Sequence, residues 1–147
     1  MESLAQLLLV VEDDVTVARA LSRTLARRGF SVAIARSCTA ARTLTQGFDF
    51  GIFDIDLPDG NGVDLARQLM DSGKVPSVLF FTSSNDAAIL ARARSLGPVL
   101  MKAGGTSPVL AFLAPEPIEP PQSGTAPTKG RGLRASSSSA LRRQRVR

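Results

Sequence analysis

Four short polar signals each follow an apolar run. Glu12-Asp13-Asp14 follows Leu7–Val11, Asp54 follows Gly51-Ile52-Phe53, Thr82-Ser83 follows residues 78–81, and Lys102 follows Val99–Met101. Carboxylates, a hydroxyl and an ammonium together suit phosphoryl transfer. Three successive acids repel one another unless a cation relieves them. Mg2+ suits such a place, because it takes one or two carboxylates and keeps several waters. A carboxylate at the end of a buried strand, such as Asp54, can attack phosphorus and form an acyl-phosphate. Asp56, two residues on, can give a carbonyl or carboxylate oxygen to the metal. Lys102 can neutralise phosphoryl charge as a point cation. Each signal also has an ordinary reading: a helix cap among the three acids, a loop cap at Asp54, a β-former or cap at Thr82, and a solvated lysine at 102.

The chemical reading requires a scaffold that brings all four signals to one edge. In a parallel sheet covered by helices, the carboxyl ends of the strands line up, and ligands bind there. The pattern predicts strands over 7–11, 30–35, 50–54, 78–81 and 99–101. Between them lie helices starting after Asp14, over 37–44, 63–70 and 85–96, with a brief last helix over 106–113. Asp14, Ser37 and Asn85 or Asp86 are placed to cap. Arg27 and Arg28 suit a last turn, and Gly29 a left-handed stop. Pro58, Gly60 and Gly62 read as a loop. Strand and helix alternate five times, which implies a doubly wound five-stranded parallel sheet with helices on both faces and a short last helix. The unbroken apolar strands agree, since parallel strands are buried on both sides.

Composition narrows the function. The 147 residues are 44% apolar and 21% charged, an ordinary globular balance. Histidine is absent, which excludes a histidine general base, a zinc site built on histidine and a phosphohistidine carrier within this chain. The single Cys38 can form no internal disulfide. The longest strictly apolar run, Leu7–Val11, is far too short to span a bilayer, so the reading is a cytoplasmic protein without a membrane span. The net charge of +5 lies wholly beyond residue 114, because residues 1–114 carry eleven acids and eleven Lys/Arg. Residues 115–147 hold five prolines in their first thirteen positions, four serines at 136–139 and an arginine-rich end. They read as a disordered basic tail following a domain at 1–114.

With these motifs on the page, the chain resembles the receiver domain of two-component response regulators, the CheY-like fold. Val10-Val11-Glu12-Asp13-Asp14, the segment from Phe53 to Gly62, Phe80-Phe81-Thr82-Ser83 and Met101-Lys102 carry the resemblance in family order over about residues 6–113. The resemblance implies Asp54 as phosphoacceptor and Mg2+, or Mn2+, as cofactor. It implies metal ligation by Asp13, Asp54 and the Asp56 backbone carbonyl, with Glu12 acting indirectly. Thr82 and Lys102 would bind the phosphoryl group, Thr82 also moving on activation, while Asp56 and Ser84 would tune acyl-phosphate lifetime. The donor would be a sensor histidine kinase or phosphotransfer protein. The domain would be no enzyme beyond its own phosphorylation and dephosphorylation.

Three departures stand out. Ala103 replaces the usual proline after the lysine. Val99 occupies the position of the switch aromatic. Leu96-Gly97-Pro98 tightens the link into the last strand. The expectation is a stand-alone receiver without a DNA-binding domain, acting on an unknown output protein or in a relay. Alternatives are a pseudo-receiver that binds partners without phosphorylation, and a haloacid dehalogenase-type phosphatase suggested by Asp54-Ile55-Asp56. The phosphatase reading needs metal carboxylates after the lysine, where only Glu116 and Glu119 occur. The tail reads as a solvated extension or as a weak, salt-sensitive contact with nucleic acid or an anionic surface.

Overall fold

The computed structural model describes residues 5–114, which fall in one unit, Met1–Pro115. The expected tail at 115–147 lies outside the described residues. Five parallel strands form the main sheet: β1 (Leu7–Val11), β2 (Ser31–Ala35), β3 (Phe50–Phe53), β6 (Val78–Thr82) and β7 (Val99–Met101), in the order β2-β1-β3-β6-β7. Five helices connect or follow them: α1 (Val15–Arg27), α2 (Cys38–Thr43), α3 (Gly62–Asp71), α4 (Ala87–Leu96) and α5 (Ser107–Leu113). The order places β3 at the centre, flanked by β1 and β6.

The continuous apolar strands divide their side chains between two faces by the period-two alternation of a strand. Leu8, Val10, Ile52, Leu79 and Phe81 meet Leu21 and Leu25 of α1 and Val109 of α5. Leu9, Val11, Phe53, Val78 and Phe80 meet Cys38 and Ala41 of α2, Leu65 and Leu69 of α3, and Leu90 and Ala93 of α4. The helices therefore lie on both faces of the sheet. Each fully buried Leu or Ile contributes about 1.5–3 kcal/mol relative to exposure.

Local chemistry sets the boundaries. Asp14 caps α1 by accepting from the Thr16 and Val17 N–H groups, and Gly29 (φ 94°) ends its turn in the left-handed region. Ser37 caps α2, and Asp86, not Asn85, caps α4. The strand expected from residue 30 starts at Ser31, since Phe30 N–H still bonds the Leu25 carbonyl closing α1. The expected loop after Asp54 is more ordered than its prolines and glycines suggest. Two residues, β4 (Asp56–Leu57), pair antiparallel with two more, β5 (Gly60–Asn61). Asn61 then caps α3 through the Val63 and Asp64 N–H groups. Strands this short have no periodicity to read.

Gly97 has extended backbone, yet a Cβ there would stand 2.1 Å from the Val78 carbonyl oxygen. The tight link into β7 thus depends on a missing side chain. After β7, Lys102–Gly104 form a 3-10 turn closed by the Gly105 N–H on the Lys102 carbonyl, with Gly105 at φ 76°.

Candidate functional site

Backbone pairing aligns the polar residues beyond the strand ends. The Glu12 N–H bonds the Ala35 carbonyl at 3.0 Å, and the Asp54 N–H bonds the Val11 carbonyl at 2.9 Å. Phe53 pairs with Phe80, and Thr82 pairs with Met101, the residue before Lys102. The register therefore carries Glu12, Asp54, Thr82 and Lys102 to one edge of the sheet, in line across four strands.

There the side chains of three of them meet. Lys102 Nζ stands 2.8 Å from Glu12 Oε1 and 2.8 Å from Asp54 Oδ2. The second oxygen of each carboxylate accepts a backbone N–H: Asp14 on Glu12 Oε2 at 3.1 Å, and Ile55 on Asp54 Oδ1 at 2.7 Å. Glu12 and Asp54 are only 2% and 6% exposed, so these bonds replace water that has been excluded. Burial raises the Glu12 pKa; its bonds from Lys102 and the Asp14 N–H only partly offset this. Burial also works against the Lys102 ammonium, but its bonds to Asp54 and Glu12 outweigh that, and its pKa is raised.

Asp13 is exposed beside this pair. Glu12, Asp13 and Asp54 each offer a carboxylate oxygen, and these oxygens lie within 4.8 Å of one another. Three carboxylates against one ammonium leave an excess of two negative charges. An all-oxygen set with that excess fits a hard divalent cation of the Mg2+ type and does not suit a soft, thiolate-seeking metal.

The other expected residues stand at different depths. Thr82 is fully buried, and its Oγ1 accepts the Ser84 N–H at 3.1 Å. Ser84 is half-buried, and its own Oγ accepts the Asp86 N–H at 3.4 Å. Asp56 is exposed on the β4–β5 hairpin, directly downstream of Asp54 and Ile55. Val99 is half-buried against the cluster formed by α2, α3 and α4.

Two residues support the site in ways not read from sequence: Gly62, named there only as a loop residue and the end of the family segment, and Asp59. Gly62 N–H bonds the Ile55 carbonyl at 2.7 Å, and a Cβ on Gly62 would stand 1.8 Å from the Asp54 carbonyl oxygen. Only glycine lets α3 start this close to the backbone of Asp54. Asp59, in the hairpin turn, accepts the Cys38 N–H at 2.7 Å, the Thr39 N–H at 2.9 Å and the Thr39 hydroxyl at 2.7 Å. It thereby ties the segment after Asp54 to the start of α2. The Thr39 hydroxyl, then the two N–H groups, hold the Asp59 carboxyl well below the usual carboxylate range. Burial, then the adjacent Asp59 charge, push the Cys38 thiol up. The proximity to Gly62 had a signal, a Gly just after an Asn cap. The Asp59 contact, 21 residues distant, had none.

Residues 8–101 match the family described as response regulator receiver domain. The chain is 40% identical over 78 residues to the probable transcriptional regulatory protein SilR of Salmonella typhimurium, covering 52% of this chain and 34% of that protein. It is 30% identical over 92 residues to the DNA-binding response regulator MtrA of Mycobacterium bovis, covering 61% of this chain and 40% of that protein. Among solved structures it is similar to a response regulator protein from Burkholderia pseudomallei with a phosphorylated aspartic acid, calcium ion and citrate. That likeness has a TM-score of 0.64 at 28% identity and covers 72% of this chain and 65% of that one.

The chain thus spans only about a third to two fifths of the length of these curated relatives. The expectation of a protein without a DNA-binding domain is corrected by them. One is a transcriptional regulatory protein and the other a DNA-binding response regulator, and the match covers only their shared receiver part. Tail composition was the basis of that expectation, and it carries no information about an output domain. Among the described residues, no helix is long and apolar enough to cross a membrane.

Proposed function

The chain belongs to the response regulator receiver domain family, a signalling family, and from that premise we propose that Asp54 is its phosphoacceptor. The observation that carries this reading is the buried Asp54 carboxylate held between Lys102 Nζ and the Ile55 N–H, next to Glu12 and Asp13. The haloacid dehalogenase alternative falls with the family assignment, and the acids directly follow β1, ahead of the nucleophile.

The proposed reaction is transfer from a phosphohistidine on a separate donor protein. An Asp54 carboxylate oxygen forms a bond to phosphorus while the phosphorus–nitrogen bond of the donor breaks. The imidazole nitrogen keeps the electron pair and takes up a proton. The Ile55 N–H fixes the rotamer of the attacking carboxylate, so little reorientation is required at the moment of transfer. Lys102 passes its hydrogen bond from Asp54 Oδ2 to a phosphoryl oxygen and retains its bond to Glu12. Thr82 Oγ1 accepts one bond from Ser84, which leaves the hydroxyl proton for a phosphoryl oxygen.

Asp13, Asp54, the Asp56 carbonyl and, indirectly, Glu12 would hold Mg2+ or Mn2+, which when bound supplies charge neutralisation at phosphorus. Asp56 and Ser84, flanking the site, would set how readily water reaches the acyl-phosphate. Val99 in place of an aromatic means that displacement of Thr82 would be relayed by aliphatic packing.

The test is incubation of the intact chain with acetyl phosphate and Mg2+, followed by intact-mass measurement. The wild type gains one phosphoryl group and Asp54→Asn gains none. Equal incorporation by the variant removes the assignment.

A further inference from the structure

Charge in the domain is segregated along the chain in a way the phosphoryl site does not use. Residues 15–48 contain six arginines (19, 23, 27, 28, 36 and 42) and no Asp or Glu. The fold collects this stretch as α1, β2 and α2, at the β2 edge of the sheet. A groove of about 320 Å³ runs there between α1 and the edge strand, lined by Arg19, Ser22, Arg23, Ala26 and Ile34. Arg19 and Arg23 are exposed, one helical turn apart, and neither forms an ion pair among the described residues. Ile34 is 40% exposed, one of few large apolar side chains left open.

The edge itself is open. β2 pairs only with β1 among the described residues. The Ser31 N–H bonds the Gln6 carbonyl, and the Ala35 carbonyl accepts the Glu12 N–H. In a parallel ladder these residues alternate with those that face away. The backbone N–H and C=O groups of Val32 and Ile34 therefore point outward, free to receive another extended chain.

We propose that the α1–β2 groove is a docking surface for an extended acidic segment of a partner protein, aliphatic at a position that meets Ile34. Three features favour a polypeptide of this type. Arg19 and Arg23 attract anions, the outward backbone of β2 can pair with a partner that has both N–H and C=O groups, and Ile34 offers an apolar contact. A nucleic acid matches the first feature only. The chain's own residues 115–147 carry seven bases against two acids and have the wrong sign. The surface is distinct from the Glu12–Asp54–Lys102 cluster, so docking does not depend on phosphorylation.

The probe is a fluorescein-labelled eight-residue peptide of alternating Glu and Val, titrated with the intact chain at low salt and followed by anisotropy. Saturable binding is expected, weakened about tenfold by the charge-reversing pair Arg19→Glu and Arg23→Glu. The pair leaves the basic stretch after residue 114 untouched, so its loss reads the groove. Circular dichroism checks that the pair still folds. Ile34→Thr is expected to weaken binding as well, and a peptide N-methylated at alternate residues to bind no better than a Glu-Ser peptide. Asp54→Asn is expected to bind like the wild type. Equal binding by the charge-reversed pair overturns the proposal. So does indifference to peptide N-methylation, and so does tighter groove-dependent binding of an oligo-dT of similar charge.

Discussion

The ammonium of Lys102 lies 2.8 Å from the Asp54 carboxylate across 48 residues of chain. The contact exists because β7 pairs with β6, β6 with β3, and the polar residue follows the last paired position in each case. The same ammonium also holds Glu12, so one cation serves two buried acids. Replacing Lys102 with Met leaves both acids short of a charged partner. The expected costs are about 1.5–3 kcal/mol of stability and about a hundredfold loss in phosphoryl uptake. Urea denaturation and the rate of labelling by acetyl phosphate measure the two effects separately.

Divalent cation binding follows from the same charge balance. Added Mg2+ is expected to raise the thermal midpoint, since a ligand that binds only the folded state stabilises it. Asp13→Asn should remove most of that rise. Lys102→Met should enlarge it, because three carboxylates then face the cation without a competing ammonium. A thermal scan with Mg2+ and with EDTA checks all three proteins. A smaller rise in Lys102→Met would contradict the assignment of the acids.

The start of α3 presses on the backbone of the phosphoacceptor. Gly62→Ala would set a methyl 1.8 Å from the Asp54 carbonyl oxygen, and that backbone is paired on β1 and cannot yield freely. A loss of about 3 kcal/mol is expected, at the upper end of ordinary overpacking, together with impaired phosphoryl uptake. Gly29→Ala is the control. It meets nothing within 4 Å and has φ 94°, so it should cost only the backbone penalty of about 1–2 kcal/mol and leave uptake intact.

Asp59 makes a pH-dependent contribution of known sign. Its folded pKa is depressed, and in the unfolded chain it returns to the ordinary 3.8. Its stabilisation is therefore fully present above about pH 4 and lost as the pH falls toward the folded value. Asp59→Asn should be less stable than the wild type at pH 7, and the gap should narrow progressively as the pH falls below about 4. Urea midpoints across that range measure it. A gap that stays constant with pH would show that charge has no part in the contact.

Thr82 separates support from signalling. Thr82→Ala takes the acceptor from the half-buried Ser84 N–H, at a cost of about 0.5–1.5 kcal/mol. Thr82→Ser keeps the oxygen and should lose less. If Thr82 binds the phosphoryl group, the alanine variant also shortens or prolongs acyl-phosphate lifetime while serine does not, as read by timed mass spectra.

Much of this architecture was legible in residue order. The runs at 7–11, 78–81 and 99–101 are unbroken apolar segments each followed by a polar residue, and buried parallel strands leave that mark. Asp14 and Ser37 announced their helices because a cap acts on residues two or three positions away. The β4–β5 hairpin did not show, since two residues per strand have no period and Pro58 and Gly60 suggested irregular chain. The convergence of Glu12, Asp54 and Lys102 on one edge followed from topology. That Lys102 bridges both acids did not, because side-chain pairing is decided by local geometry. Asp59 at the start of α2 was equally hidden, as nothing near residue 59 or residue 38 signals the other.

Glu12 and Asp54 follow the directly paired strands β1 and β3, and Lys102 follows β7, which reaches β3 only through β6. A slip of one residue between β1 and β3 would turn Asp54 toward the opposite side and strand Lys102 without its neighbour. Chemical competence is thus a property of the finished sheet. A chain that has collapsed but not completed its ladder has the same acids and cannot answer a donor, so immature copies stay silent.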